Sequence, residues 1–246
     1  MDKKINVAIN GFGRIGRAFM RVALSRPEIN IVAVNDLGDI ANLAYLLKYD
    51  TAYGAFPYDV EAKDGSLFID GKEIKYFSSA KPEELPWKDL NIDVVVEPTG
   101  FFTSFDKAKA HLDGGAKRVV ISAPAKGEPL PGIETATVLM GINEDKLATC
   151  HMTSNASCTT NSASPVIAIL DETLGIEKAI LNTVHAYTAS QSIVDGLKKD
   201  FREGRAAAQN IIPTSTGAAI AVTKALPQLS GKFDGISMRV PVVAGS

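Results

Sequence analysis

The chain has 246 residues, of which 46% are hydrophobic and 22% charged, enough to bury a sizeable core in one large domain or two ordinary ones. A formal net charge of −2 and a pI near 6.0 leave no basic excess for a phosphate backbone or an anionic bilayer, so neither nucleic acid nor membrane is an expected partner. Two cysteines are too few for a secreted disulfide framework and lack metal-ligand spacing, which points to a reducing, cytoplasmic setting and to no metal site.

Met1-Asp2-Lys3-Lys4 leads directly into the strand-like Ile5-Asn6-Val7-Ala8-Ile9, without the layout of a signal peptide. Val7-Ala8-Ile9, Ile31-Val32-Ala33-Val34, Val94-Val95-Val96 and Val119-Val120-Ile121 are short and apolar on both faces, the pattern of buried parallel strands. Between the first two, "GRIGRAFMRVALSRPE" sets Ile15, Phe19, Val22 and Ala23 at helical spacing, with Pro27 just past the end.

The turn from this first strand into its helix is "NGFGRIG". Gly11, Gly13 and Gly16 there form a G-x-G-x-x-G fingerprint, in which the first glycine permits the tight turn, the second lets backbone approach a pyrophosphate, and the third lets helix pack on strand. The helix N-terminus adds free N–H groups and partial positive charge. The second strand ends in Asn35-Asp36, so Asp36 lies 20 positions after Gly16, where a carboxylate accepts from ribose hydroxyls and repels a 2′-phosphate. NAD is therefore expected over NADP, against the plainer reading of a turn followed by a surface acid. Farther on, "EPTGFFTS" and "SAPAK" follow strand ends, so Thr99, Gly100 and Ser122 either line the cofactor cleft or serve as ordinary loop residues.

The second half changes pattern. "SNASCTTNSASP" surrounds Cys158 with small hydroxyls and amides, whereas a structural cysteine prefers apolar neighbours; Cys150 in "LATCHMTS" suits that plainer role. Either Ser164-Pro165 opens the following helix, or the helix starts near Cys158 and tolerates Pro165 within it. Both place the thiol near a helix N-terminus, which favours thiolate. Of three histidines, His111 sits in the last turn of a predicted helix, where it complements the dipole, and His151 adjoins Cys150. His185 closes the strand "AILNTV" and opens "HAYTASQ", a strand-end position suited to a site. A beta run over Ala179–Val184, a polar irregular stretch over Ser190–Gln209 and the helical "TGAAIAVTKALPQLSG" complete a second domain.

With "INGFGRIGR", "ASCTTN", "VHAYTASQ", "RAAAQNIIPTSTGAA" and "GISMRVP", the sequence from residue 5 onward closely resembles the phosphorylating, glycolytic glyceraldehyde-3-phosphate dehydrogenases. The resemblance implies an α/β fold: a Rossmann-type doubly wound parallel sheet over residues 1–157, then an α+β catalytic domain over 158–246. It implies that Cys158 attacks glyceraldehyde 3-phosphate, that His185 is the general base, and that NAD and inorganic phosphate complete the conversion to 1,3-bisphosphoglycerate. Carried over with it are cofactor contacts at Arg14, Ile15, Asp36 and Ser122. Ser157, Thr159, Thr216 and Gly217 match the attacking-phosphate site, and Thr188 and Arg239 the substrate-phosphate site. A homotetramer is likewise implied.

Two departures accompany the match. Ser79-Ala80-Lys81-Pro82 stands where an adenine-side arginine is usual, and the chain closes on "RVPVVAGS", so a C-terminally truncated front portion of such an enzyme is expected. The alternatives are an erythrose-4-phosphate dehydrogenase, or a non-catalytic NAD-binding and subunit-interaction fragment.

Overall fold

A computed structural model describes residues 3–244; the outermost positions of both expected domains, 1–2 and 245–246, lie outside the described residues. Two compact units emerge, one of residues 3–138 with Asp145–Asn155, the other of Leu139–Glu144 with residues 156–244.

The first unit is built on a nine-stranded sheet. In chain order its elements are β1 (Ile5–Asn10), α1 (Arg14–Ala23), β2 (Ile29–Asn35), α2 (Ile40–Lys48), the small hairpin β3 (Tyr49–Asp50) and β4 (Gly54–Ala55), then β5 (Val60–Lys63), β6 (Ser66–Ile69) and β7 (Lys72–Phe77). β8 (Val94–Glu97), α3 (Phe105–Asp113), β9 (Arg118–Ile121), β10 (Thr135–Thr137) and β11 (Met152–Ser154) follow. The sheet order is β10-β11-β9-β8-β1-β2-β7-β6-β5. All neighbours are parallel except along β5-β6-β7, which is antiparallel. This is the doubly wound α/β sheet expected from the four apolar runs, each of which forms a strand. Successive residues face opposite sides, as strand geometry requires. Val7 and Ile9 pack with Met20, Ile31, Val34 and Leu47, while Ala8 packs with Ala33, Val95, Ile92 and Trp87.

β1 pairs with β2 on one side and β8 on the other, so chain direction diverges at the carboxyl end of β1. A crevice at such a switch point is where open α/β sheets bind ligands. The face of α1 differs from the one its apolar spacing suggests. Gly16, Met20 and Ala23 are buried, whereas Ile15 is 41% and Val22 59% exposed. Close helix–sheet approach decides this, because a Cβ on Gly16 would lie 2.0 Å from the Gly11 carbonyl oxygen, and the face carrying Gly16 must turn inward.

In the second unit α4 (Cys158–Leu174) precedes β12 (Ala179–Ala186), β13 (Ile212–Thr214), α5 (Ala218–Ala225) and β14 (Phe233–Val240). The sheet order is β12-β14-β13, with β12 parallel and β13 antiparallel to β14. The N-cap of α4 is Ser157: its Oγ accepts from the Thr160 N–H at 3.1 Å, so the helix starts at Cys158 and carries Pro165 inside it. Of the two starts open from sequence, this one wins because Ser164 is fully buried within the helix and caps nothing. β12 runs two residues beyond Val184, which puts His185 inside the strand, opposite Arg239 of β14.

Arg14, opening α1, donates through both terminal nitrogens to Asp50 in β3. Burial raises the Asp50 carboxyl pKa, but the Arg14 hydrogen bond, the N–H groups of Tyr53 and Ala52 and the Arg14 charge outweigh it and hold the group down at about 2. A depressed carboxyl stabilises the fold above its unfolded pKa and loses that contribution as pH falls through the folded value. Arg14 is partly exposed, so Asp50→Asn should cost about 1–2 kcal/mol at pH 7 after screening. Urea midpoints of wild type and variant should converge between pH 4 and pH 2; a gap constant down to pH 2.5 would refute the assignment.

Candidate active site

The crevice at the β1/β2/β8 ends encloses about 440 Å³, within the range of small-ligand pockets, and is lined by Gly11, Gly13, Asp36, Leu37, Thr99 and Phe101 among others. Gly11 has φ +112°, and a Cβ there would come within 2.8 Å of the Thr99 side chain, so only glycine fits this turn. Nothing lies within 4 Å of the position a Cβ would take on Gly13, leaving its face open to an incoming group. α1 begins behind it with no side-chain cap and no acid in its first turn, a helix start whose partial positive charge suits an anion.

Asp36 closes the other side. Its Oδ2 accepts from the Phe12 N–H at 2.6 Å and its Oδ1 from the Gly38 N–H at 2.8 Å, which ties the glycine turn to the end of β2. The Tyr76 hydroxyl donates to the carbonyls of Asp36 and Gly38 at 2.7 and 2.6 Å. Burial, with Asp36 and Asp39 nearby, pushes that phenol up to about 12 and keeps it a donor. An open glycine face, uncapped helix amides and a fixed carboxylate together suit a pyrophosphate with its ribose.

Not every expected cofactor residue lines this crevice. Gly16 serves helix packing, the Arg14 guanidinium is taken by Asp50 and lies 5.4 Å over the Tyr53 ring, and Ile15, Gly100 and Ser122 fall outside the lining. Ser79 and Ala80, from the stretch lacking the usual arginine, do line it, while Lys81 pairs with Glu84 at 2.8 Å. His111 stands in the last turn of α3, as expected, and has side-chain partners besides the helix end. It is fully buried, accepting from Trp87 Nε1 at 3.0 Å and meeting Glu97 at 3.0 Å. A glutamate ending the apolar run "VVVE" was the sequence signal for such a partner, since a carboxylate at the end of a buried strand must find donors.

In the second unit Cys158 is exposed at the first turn of α4, and its Sγ lies 3.3 Å from His185 Nε2. His185 Nδ1 lies 2.7 Å from the Ala186 carbonyl oxygen, which can only accept. The ring proton therefore belongs on Nδ1, and the Nε2 lone pair faces the thiol. Arg239, beside His185 in the β12/β14 register, donates to the same carbonyl at 3.2 Å. The sheet thus brings Cys158, His185 and Arg239 into one constellation. The Ser157 Oγ caps α4 and Thr159 is half-buried in its first turn. Thr188 bonds Ser190 and Gln191, and Thr216 accepts from the Ala218 N–H just ahead of α5, whose N-cap is Gly217.

Residues 5–105 match the family described as "Glyceraldehyde 3-phosphate dehydrogenase, NAD binding domain" and residues 157–246 its "C-terminal domain". Glyceraldehyde-3-phosphate dehydrogenase of Streptomyces coelicolor is 53% identical over 245 residues, 98% of this chain and 71% of the relative. Those of Clostridium pasteurianum and Geobacillus stearothermophilus are 50% and 49% identical, over 98% and 96% of this chain and 71% and 70% of their own lengths. The chain belongs to the glyceraldehyde-3-phosphate dehydrogenase family. It is an NAD-dependent oxidoreductase with the α/β architecture of that family, and NAD is its cofactor.

The two thiols of this dehydrogenase differ in environment. Cys150 is buried, and burial, with Glu134 adding, pushes its thiol up, against a weaker pull from Lys146 and Arg118. Cys158 is exposed beside an imidazole. Iodoacetamide near pH 7 should modify Cys158 at least about tenfold faster than Cys150, as peptide mass spectrometry will measure. Comparable rates at the two sites would contradict this environment-based ranking.

Proposed function

We propose that this chain carries out the family's NAD-dependent oxidative phosphorylation of glyceraldehyde 3-phosphate to 1,3-bisphosphoglycerate, with Cys158 as nucleophile and His185 as general base. One observation supports it above the rest: a solvent-accessible thiol at a helix N-terminus with an imidazole lone pair 3.3 Å away. His185 Nε2 takes the thiol proton, and the sulfur attacks the aldehyde carbon to give a hemithioacetal. The Cys158 backbone N–H, at the first position of α4, has no intrahelical acceptor and can hold the developing oxyanion together with the protonated His185.

Gly11, Gly13 and Asp36 would hold the cofactor, with backbone contributions from Arg14, Ile15 and Gly16 at the start of α1 and with Ser122 after β9. NAD, when bound, supplies the two-electron acceptor that converts the hemithioacetal to a thioester. His185 is left to exchange the proton released from the hemithioacetal hydroxyl. Phosphate then attacks the thioester carbon, the C–S bond breaks, and Cys158 is regenerated as the acyl phosphate leaves.

We assign the attacking phosphate to Ser157, Thr159, Thr216 and Gly217, and the substrate's phosphate to Thr188 and Arg239. Small neutral donors suit an anion beside a thiolate, since they hold charge without protonating or pairing the nucleophile. Both cysteines are free thiols, which suits the reducing cytoplasm. Among the described residues no helix is long and apolar enough to cross a membrane. A homotetramer would cover the apolar side chains that the second unit exposes, Ile180, Val184, Leu197, Phe201 and Ile236 among them.

Cys158→Ser should lower NADH formation from glyceraldehyde 3-phosphate and phosphate by more than about a hundredfold, because a serine hydroxyl is far less acidic than a thiol. The NAD dissociation constant should stay within about twofold, since the nucleotide crevice belongs to the other unit. Steady-state turnover in the variant near that of wild type would rule out the covalent route.

A further inference from the structure

The crevice walls come from four separate segments, and one buried circuit joins them. Glu97, 1% exposed at the end of β8, accepts at Oε1 from both the N–H and the hydroxyl of Thr99. Its Oε2 accepts from Asn10 Nδ2 and, at 3.0 Å, from His111 Nε2. Asn10, ending β1, accepts in turn from Asn35 Nδ2 at 2.7 Å, and Asn35, ending β2, exchanges two bonds with the Ser79 backbone, each 2.9 Å. Thr99 passes the order on, its Oγ1 accepting from the Phe101 N–H at 3.0 Å. Asn10, Asn35, Ser79, Thr99 and Phe101 all line the crevice; Glu97, His111 and Trp87 do not.

The circuit is fixed from both ends: the Ser79 backbone, with an N–H that only donates and a carbonyl that only accepts, orients Asn35 and through it Asn10, and Trp87 orients His111. The Trp87 indole N–H meets His111 Nδ1 at 3.0 Å, so Nδ1 must accept and the ring proton must sit on Nε2, directed at Glu97. With Glu97 receiving from His111 and Asn10, the Asn10 amide is oriented, and its Oδ1 faces Asn35. We propose that Glu97 is a positioning residue for the dinucleotide, its orientation set by Trp87 through His111, so that a buried polar chain fixes the donors and acceptors presented to NAD. This rests on reading the crevice as the NAD site.

Glu97→Gln tests it with almost no change in volume. Either amide orientation sets an NH2 group against existing donors, Asn10 and His111 on one side or the Thr99 N–H on the other. Asn10 cannot simply flip, because its oxygen serves Asn35, nor can His111 change tautomer under Trp87. We expect the NAD dissociation constant, measured by isothermal titration calorimetry, to rise at least about tenfold. Alkylation of Cys158 without NAD should remain at the wild-type rate, because the thiol lies in the other unit and only general loosening would disturb both.

Trp87→Phe provides the second variant: it keeps the aromatic ring, lines no crevice and releases the His111 tautomer, and it should weaken NAD about threefold or more. If Glu97→Gln fails to fold, Trp87→Phe decides the question. Folded variants that bind NAD within twofold of wild type would overturn the proposal, and so would parallel loss of NAD affinity and Cys158 reactivity. A wild-type protein that does not bind NAD would instead sink the cofactor reading together with this one.

Discussion

A helix that begins directly after a strand or tight turn leaves its first N–H groups without intrahelical partners, and both candidate sites of this chain are built at such helix starts. In the nucleotide unit α1 opens on Gly13, which has no side-chain cap and lines the crevice. In the other unit α4 opens on Ser157, whose hydroxyl satisfies the Thr160 N–H while the leading amides stay free beside Cys158. One physical device therefore suits an anion in one place and, in the proposed mechanism, a nucleophilic sulfur with the oxyanion it generates in the other. The glycines at positions 11 and 16 make the first case possible, for the 2.0 Å clearance at Gly16 admits no side chain at all.

The proposed base, His185, is placed by sheet geometry. β12 carries His185 one position beyond the last residue that its apolar run marks as strand, and its register with β14 sets Arg239 alongside. A shared acceptor, the Ala186 carbonyl, fixes the imidazole proton on Nδ1 and receives the Arg239 guanidinium as well. The residue assigned to the substrate's phosphate thus touches the same carbonyl that orients the base.

Much of this was legible in the sequence where local chemistry dictates local structure. Four apolar runs became parallel strands, the glycine spacing marked the first turn, and the polar setting of Cys158 separated it from Cys150. Reading failed where tertiary contacts override local signals. Ile15 and Val22 look like the buried face of α1, yet the helix turns Gly16, Met20 and Ala23 inward because only Gly16 allows the approach. The sequence leaves two starts open for α4, and the one near Cys158 holds because Ser157 captures the Thr160 N–H while Ser164 is buried. His111 does stand in the last turn of its helix, but the sequence gives no sign that it is buried. Its burial depends on Trp87 and Glu97, 24 and 14 positions away in sequence, and no helical or strand periodicity encodes such a meeting. Arg14 shows the same limit, with its side chain claimed by Asp50, which lies 36 positions farther along.

The proposed covalent chemistry depends on the imidazole drawing the proton from Cys158, and that dependence can be measured without substrate. The rate of iodoacetamide modification at Cys158, followed by mass spectrometry at pH 7 in wild type and in His185→Asn, isolates the pair. An unassisted thiol is only a few per cent thiolate at that pH. A thiol held 3.3 Å from an accepting nitrogen should react at least about tenfold faster in wild type than in the variant. Equal rates in the two proteins would contradict the pairing on which the account rests.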